Sequence, residues 1–327
     1  MRRVAVDLLL TGVAIAAAGV LTGCGGQLAV TPDTGIRVGF VPKALNQEYW
    51  VNTAHGAAAG GKNAHATVLT EAGQADTQVD EQINIVQNLV AEKVSALVIA
   101  PTDSDLLKPV LDTVAKKIPV ILFDSPIPGW KPQTGFVGTP NRAGGERMGR
   151  YLAKVIPHGT LAIIRGIPGS QVDIDRVDGV LAGIKGAQIR VVKEVSANFD
   201  REQAVAAMED ILQTNPHVSA VFCANDQMAL GALQSLDANN ATGRVKLVGF
   251  DGAIEATQAI IAHKMFATVA QDPYGMARIA VQEAVARVKG RSVPENVNTG
   301  DPLVTQQNAE AYLKVAEKKL GHPNGTT

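Results

Sequence analysis

Leu247-Val248-Gly249-Phe250-Asp251-Gly252 is an apolar run that stops at a carboxylate followed by a glycine. The same phrase occurs earlier, as Val120-Ile121-Leu122-Phe123-Asp124-Ser125. The echo extends upstream. Ser95-Ala96-Leu97-Val98-Ile99-Ala100-Pro101-Thr102-Asp103 precedes the first copy, and Ser219-Ala220-Val221-Phe222-Cys223-Ala224-Asn225-Asp226 precedes the second. Each half therefore carries a buried-type strand ending in polar residues, then a second such strand ending in Phe-Asp. A folding unit built twice, with polar groups at equivalent strand ends, predicts two facing lobes with a ligand between them.

The surrounding pattern extends this reading. In the first half, apolar strands at 36–41, 67–70, 96–100, 119–123 and 135–138 alternate with helices at 47–65, 77–93 and 105–117. Small residues of the first helix (Ala54, Ala57, Ala58, Ala59) are expected to let it pack closely on a sheet. The pattern restarts with helices at 142–155, 172–185, 201–213, 227–236, 253–262 and 273–289, interleaved with strands at 160–165, 190–195, 220–224, 246–250 and 266–270. A Pro-, Asn- and Gly-rich loop over 291–302 leads to a last helix at 307–320. Strands that are apolar throughout and alternate with helices indicate a parallel sheet covered on both faces. The fold class is α/β: two doubly wound parallel-sheet lobes. In such sheets ligands sit outside the carboxyl ends of the strands, where Asp124, Asp251, Asn225 and Gln271 fall. Phe123 and Phe250, one residue back, belong to the core by alternation, and Trp130 to a loop packed on a lobe edge.

A length of 327 residues suggests about two domains, and an apolar content of 46% can bury a sizeable core in each. The formal net charge is −1, so no basic face points to nucleic acid. Arg2 and Arg3, the apolar stretch Leu8 to Leu21 and the small residues before Cys24 read as a signal segment over 1–23, with Asp7 as an acidic intrusion. The ending Leu21-Thr22-Gly23-Cys24 resembles the bacterial lipobox, in which the cysteine becomes the lipidated first residue. Residues 24–35 would then be a tether, and 321–327 a polar tail. With Cys24 consumed, Cys223 has no disulfide partner and reads as a small core residue. There is no glycine fingerprint after the first strand, no GxxxxGK[ST], no HExxH, no GxSxG and no Cys/His cluster. No cofactor, metal or enzymatic turnover is expected; the chain reads as a binder.

On Pro101-Thr102-Asp103-Ser104, Ala224-Asn225-Asp226-Gln227-Met228-Ala229-Leu230-Gly231-Ala232 and Val248-Gly249-Phe250-Asp251-Gly252, taken in that order and spacing, the chain resembles the type I periplasmic sugar-binding proteins that serve ABC importers. The resemblance implies two lobes joined by a three-segment hinge, with crossings near Thr139, near Gln271 to Pro273 and near Val297 to Asp301. Lobe one would comprise 36–139 plus 273–297, and lobe two 140–271 plus 298–320. It also implies a site. Leu45-Asn46-Gln47-Glu48-Tyr49-Trp50 is similar to the family's Asn-Pro-Phe-Phe segment, placing Tyr49 and Trp50 as rings that sandwich a sugar and Gln47 as an amide that bonds a hydroxyl. Phe199 matches the opposing ring, and Arg176 the lobe-two arginine; Asn225, Asp251 and Gln271 match directly. Where the ribose-type pattern has Asp-Arg, this chain has Asp124-Ser125, so a cation is lost there. Lys43 offers a positive charge in its place.

Aspartates before helices are also common caps; their duplication after equivalent strands favours a ligand role. Asp124 and Asp251 against Arg176 and Lys43 form a balanced set, which suits a neutral ligand because an unpaired buried charge is costly. The expectation is a monomeric, lipid-anchored receptor outside the cytoplasm that binds a small neutral sugar or polyol and delivers it to an ABC permease. The alternative is a subunit that presents ligand to a chemoreceptor or sensor kinase. A repressor-type transcription factor lacks its DNA-binding headpiece here, and a sugar-processing enzyme lacks its motifs.

Overall fold

The computed structural model describes residues 35–320. The signal segment, Cys24, most of the tether and the tail lie outside the described residues. In chain order the first part runs β1 (Arg37–Val41), α1 (Glu48–Ala64), β2 (Thr67–Thr70), α2 (Val79–Ala91), β3 (Ala96–Ile99), α3 (Ser104–Ala115), β4 (Val120–Phe123) and β5 (Gly135–Gly138). The second runs α4 (Asn141–Val155), β6 (His158–Arg165), α5 (Gln171–Gly183), β7 (Gln188–Ser196), α6 (Arg201–Thr214), β8 (Ala220–Cys223), α7 (Asp226–Ala238), β9 (Lys246–Asp251), α8 (Ile254–Ile261) and β10 (Ala267–Ala270). The chain ends with α9 (Pro273–Val288), β11 (Asn296–Asn298), β12 (Leu303–Thr305) and α10 (Ala309–Leu320).

Two six-stranded sheets result, in the orders β2-β1-β3-β4-β5-β11 and β7-β6-β8-β9-β10-β12. The orders superimpose strand for strand, and β4 and β9, which carry the two Phe-Asp endings, fall in equivalent positions. All pairs are parallel except β12, which runs antiparallel to β10. β11 and β12 were not expected: β11 lies inside the stretch read as a loop, where Asn298 pairs with Gly138. At three residues each, they are too short to show a period.

The apolar strands divide their side chains between two faces. In the first sheet Phe40, Val98, Ile121 and Phe123 pack beneath α1 and α9, whereas Val41, Leu97, Ile99 and Leu122 pack beneath α2 and α3. Phe123 and Phe250 are fully buried, as is Cys223. Trp130 is more deeply placed than an edge position implies: it is 3% exposed, and its indole N–H donates to Asp112 Oδ1 at 2.7 Å. In α1 the close approach comes from glycines. Gly56 and Gly60 face the backbone of α9, while Ala58 points to solvent.

The chain passes between the sheets three times. α4 leaves the end of β5 and packs on α5, α9 returns from β10 to pack on α1, and β11 leads across to β12. The carboxyl ends of β1 and β4 and of β8 and β9 thereby meet across a cleft, with the Gln271-Asp272 crossing at its side.

Candidate functional site

The two strand-end aspartates hold backbone conformations that L-residues rarely adopt. Asp124 has φ 60° and Asp251 φ 129°. Phe199 also has positive φ, at 59°, which is a genuine outlier for a bulky side chain. Such strain persists only where surrounding structure enforces it, and it clusters at ligand sites. Phe199 can lie where it does because Gly166 has no side chain: a Cβ there would meet the ring at 2.1 Å.

All the candidate residues except Ser125 line one cavity of about 30 Å³ between the two sheets. From the first sheet's side come Lys43, Gln47, Tyr49, Trp50 and Asp124. From the second come Arg176, Phe199, Asn225 and Asp251, with Gln271 from the crossing. Lys43, Asp124, Arg176, Asn225 and Gln271 are all buried.

The second side is organised around Arg176. Its Nη1 lies 3.1 Å from Asp251 Oδ1 and donates to the Ala224 carbonyl at 2.7 Å. Its Nε donates to Asn141 Oδ1 at 2.8 Å, and the guanidinium stacks 4.0 Å from the Phe250 ring centroid. Gln271 Nε2 donates to the same Asp251 oxygen at 2.7 Å. Burial pushes the Asp251 carboxyl up to about 7; Arg176 and Gln271 oppose this, and the Asp226 and Asp124 carboxylates add to it. Asn225 accepts from Met228 N through Oδ1 at 2.9 Å, capping α7, and donates from Nδ2 to the Phe199 carbonyl at 3.3 Å.

On the first side the Tyr49 hydroxyl donates to Asp124 Oδ1 at 2.6 Å and lies 3.2 Å from Gln271 Oε1. Burial, then the Asp124 carboxylate, holds the Tyr49 phenol well above its ordinary value. Ser125 does not reach the cavity; its hydroxyl donates to Asp124 Oδ2 at 2.7 Å. Trp50 meets Tyr49 edge-on at 5.0 Å and Phe123 edge-on at 6.5 Å. Its indole N–H donates to Asp76 Oδ2 at 3.0 Å. Asp76 and Val172 complete the lining, and sequence reasoning assigned neither a role. The rule that ligands meet strand carboxyl ends could have flagged the loop after β2, which carries Asp76. Burial raises the Asp76 carboxyl, and Lys43 opposes the shift.

A larger cavity of about 90 Å³ lies on the other side of Tyr49, walled by Tyr274, Tyr312 and Val315. Two of its acids, Asp226 and Asp272, are held within the protein. Asp226 accepts from Ala253 N and Thr268 Oγ1, and Asp272 from Gly275 N and Lys319 Nζ. The two strand-end aspartates, Asp124 and Asp251, meet in the smaller cavity, with Arg176 and Lys43 beside them in its lining, and it is therefore the candidate site.

Comparison with known proteins bears on the same region. Residues 38–292 match a family model described as "Periplasmic binding protein domain". The chain is 31% identical over 273 residues to the ribose import binding protein of Bacillus subtilis (strain 168), covering 83% of this chain and 87% of that protein. A solved ABC transporter solute binding protein from Mycobacterium smegmatis with bound glycerol is similar at TM-score 0.80 and 33% identity, covering 85% of this chain and 96% of that one. A carbohydrate transporter solute binding protein from Agrobacterium radiobacter in complex with D-arabinose is similar at TM-score 0.82 and 30% identity, covering 86% and 98%.

Proposed function

The chain belongs to the periplasmic binding protein domain family, with the two-lobed type I fold, and from that premise we propose that it is a solute receptor binding a small neutral sugar or polyol between its lobes. The observation that carries this reading is the cavity lined by polar groups from both sheets and by the crossing between them. Carboxylates accept from hydroxyls, and the planar fork of Arg176 donates to adjacent oxygens. Its relatives are transport binding proteins rather than enzymes.

Including Asp76, the lining holds three carboxylates against Lys43 and Arg176. Burial raises both the Asp76 and the Asp251 carboxyl, so the lining stays close to balance and offers an anion no strong positive charge. Neutrality of the ligand follows from that balance. Calorimetry against D-ribose, D-allose, D-arabinose, xylitol, glycerol and the sugar acid D-ribonate tests it. One of the neutral compounds should bind tightest; preference for D-ribonate sinks the reading.

The moving bodies are inferred to be 36–139 with 273–298 and 140–271 with 299–320, Asn298 going with the first because it pairs with Gly138. Delivery to an ABC permease is supported by the relatives' roles. A lipid anchor at Cys24 is supported by Leu21-Thr22-Gly23-Cys24; among the described residues no helix is long and apolar enough to cross a membrane. Palmitate labelling in cells should mark the wild type and not Cys24→Ser. Equal labelling of the two removes the anchor from that position.

A further inference from the structure

We infer that Asp76, in the loop after β2, contacts the ligand directly and, together with Lys43, supplies the first-lobe hydroxyl recognition that the resemblance places on Asp124; the assignment rests on the proposed function. Both Asp124 oxygens already accept short bonds from within the protein, Oδ1 from Tyr49 at 2.6 Å and Oδ2 from Ser125 at 2.7 Å. Those two hydroxyls take two of the carboxylate's roughly four acceptor positions and fix both of its oxygens. Asp124 thereby becomes a positioning residue: it holds Tyr49 against Gln271 and fixes one wall of the cavity.

Asp76 is in the opposite situation. It is 8% exposed and lines the cavity. Oδ2 accepts from the Trp50 indole, but Oδ1 is buried and has no hydrogen-bond partner. A buried carboxylate oxygen left unmatched is destabilising, and such groups ordinarily find a partner. Lys43 lines the same cavity, is 4% exposed and acts electrostatically on Asp76. Its ammonium lies 5.8 Å from the Trp50 ring centroid. An acceptor and a three-donor ammonium in one lining match two adjacent hydroxyls, one donating to Asp76 Oδ1 and the other accepting from Lys43 Nζ. The ligand class is a polyol or sugar that presents a vicinal diol to this end of the cavity.

Asp76→Asn tests the assignment, because the side-chain carbonyl still accepts from Trp50 while the charge is removed. Calorimetry of wild type and variant uses D-ribose, D-allose, D-arabinose, xylitol and glycerol, with monodeoxy analogues of whichever binds tightest. Loss of a hydrogen bond to a charged group should weaken that probe about 10- to 100-fold. The thermal midpoint of the ligand-free protein should hold or rise, since an unmatched buried carboxylate is gone. One deoxy analogue should lose affinity for the wild type and little for the variant, a coupling that a merely structural role would not produce. Wild-type binding that Asp76→Asn leaves within about twofold, or weakening without coupling to any deoxy position, overturns the assignment and leaves the proposed function standing. Failure of the wild type to bind any of the five overturns both.

Discussion

At the scale of single residues, Asp251 carries opposing demands. It touches Arg176 at 3.1 Å, yet burial outweighs that contact and raises its carboxyl to about 7. An acid whose folded value exceeds its unfolded one binds more protons when folded. Its contribution to stability is therefore full below the unfolded value near 3.8 and lost as pH rises to about 7. A ligand hydroxyl that donates to this carboxyl favours the charged form, so binding should expel a proton below about pH 7 and tighten as pH rises through that value. Calorimetry in two buffers of different ionisation enthalpy reads this directly. Apparent binding enthalpies should differ in the wild type and coincide in Asp251→Asn. Asparagine suits the control better than alanine, because its side-chain oxygen can still accept from Arg176 and Gln271. Coincident enthalpies in the wild type would detach the carboxyl from the ligand. Which residues were legible in the sequence follows from their position. Asp124, Asp251, Asn225 and Gln271 sit where strand periodicity ends, so the pattern alone exposes them. Arg176 is on a helix and Phe199 in a loop, and only the family resemblance singled them out. That Tyr49 and Ser125 occupy Asp124 could not be read at all, because it depends on where the side chains meet in the fold.

At the scale of elements, the repeated strand phrases were decisive because parallel strands buried on both faces leave an unambiguous apolar signature. β11 and β12 leave none: Asn-Val-Asn and Leu-Val-Thr are indistinguishable from loop, and their pairing comes from the neighbours β5 and β10. Helix ends shifted by a residue or two where a cap decides the boundary. Asp103 accepts from the backbone N–H groups of Asp105 and Leu106, so α3 opens at Ser104, one residue earlier than periodicity suggests. Capping does not withdraw Asn225 from the cavity: its Oδ1 caps α7 while the residue lines the wall. The placement of Arg176 likewise belongs to two helices. Gly145 of α4 lies so close to α5 that a Cβ would sit 2.2 Å from the Arg176 carbonyl oxygen. The helix that delivers the guanidinium to Asp251 and Asn141 is thus held at glycine distance from α4, the first element after the chain crosses from β5.

At the scale of the whole molecule, the question is what keeps the lobes together. Across the cleft, Gln47 Nε2 reaches the Phe199 carbonyl at 3.5 Å, at the weak limit for a hydrogen bond, and the Tyr49 hydroxyl reaches Gln271 Oε1 at 3.2 Å. The cavity of about 30 Å³ has room for about two waters, less than any sugar requires. A ligand must therefore enter a wider cleft and then add its own bonds to both sides. Since it contacts both lobes only when they close, it stabilises the closed population by its differential affinity for that state. The free protein should be a broad mixture of openings and the bound protein one narrow state. Spin labels at Gln78, just before α2, and Glu202, in the first turn of α6, report this; both positions are exposed and follow the equivalent edge strands β2 and β7. Pulsed electron resonance should give a wide distance distribution without ligand and a narrow one with the tightest-binding sugar or polyol. Asp251→Asn should stay wide at the same ligand concentration. A distribution that is already narrow in the free protein and unmoved by ligand would mean that the lobes do not hinge, and that a permease could not read occupancy from their closure.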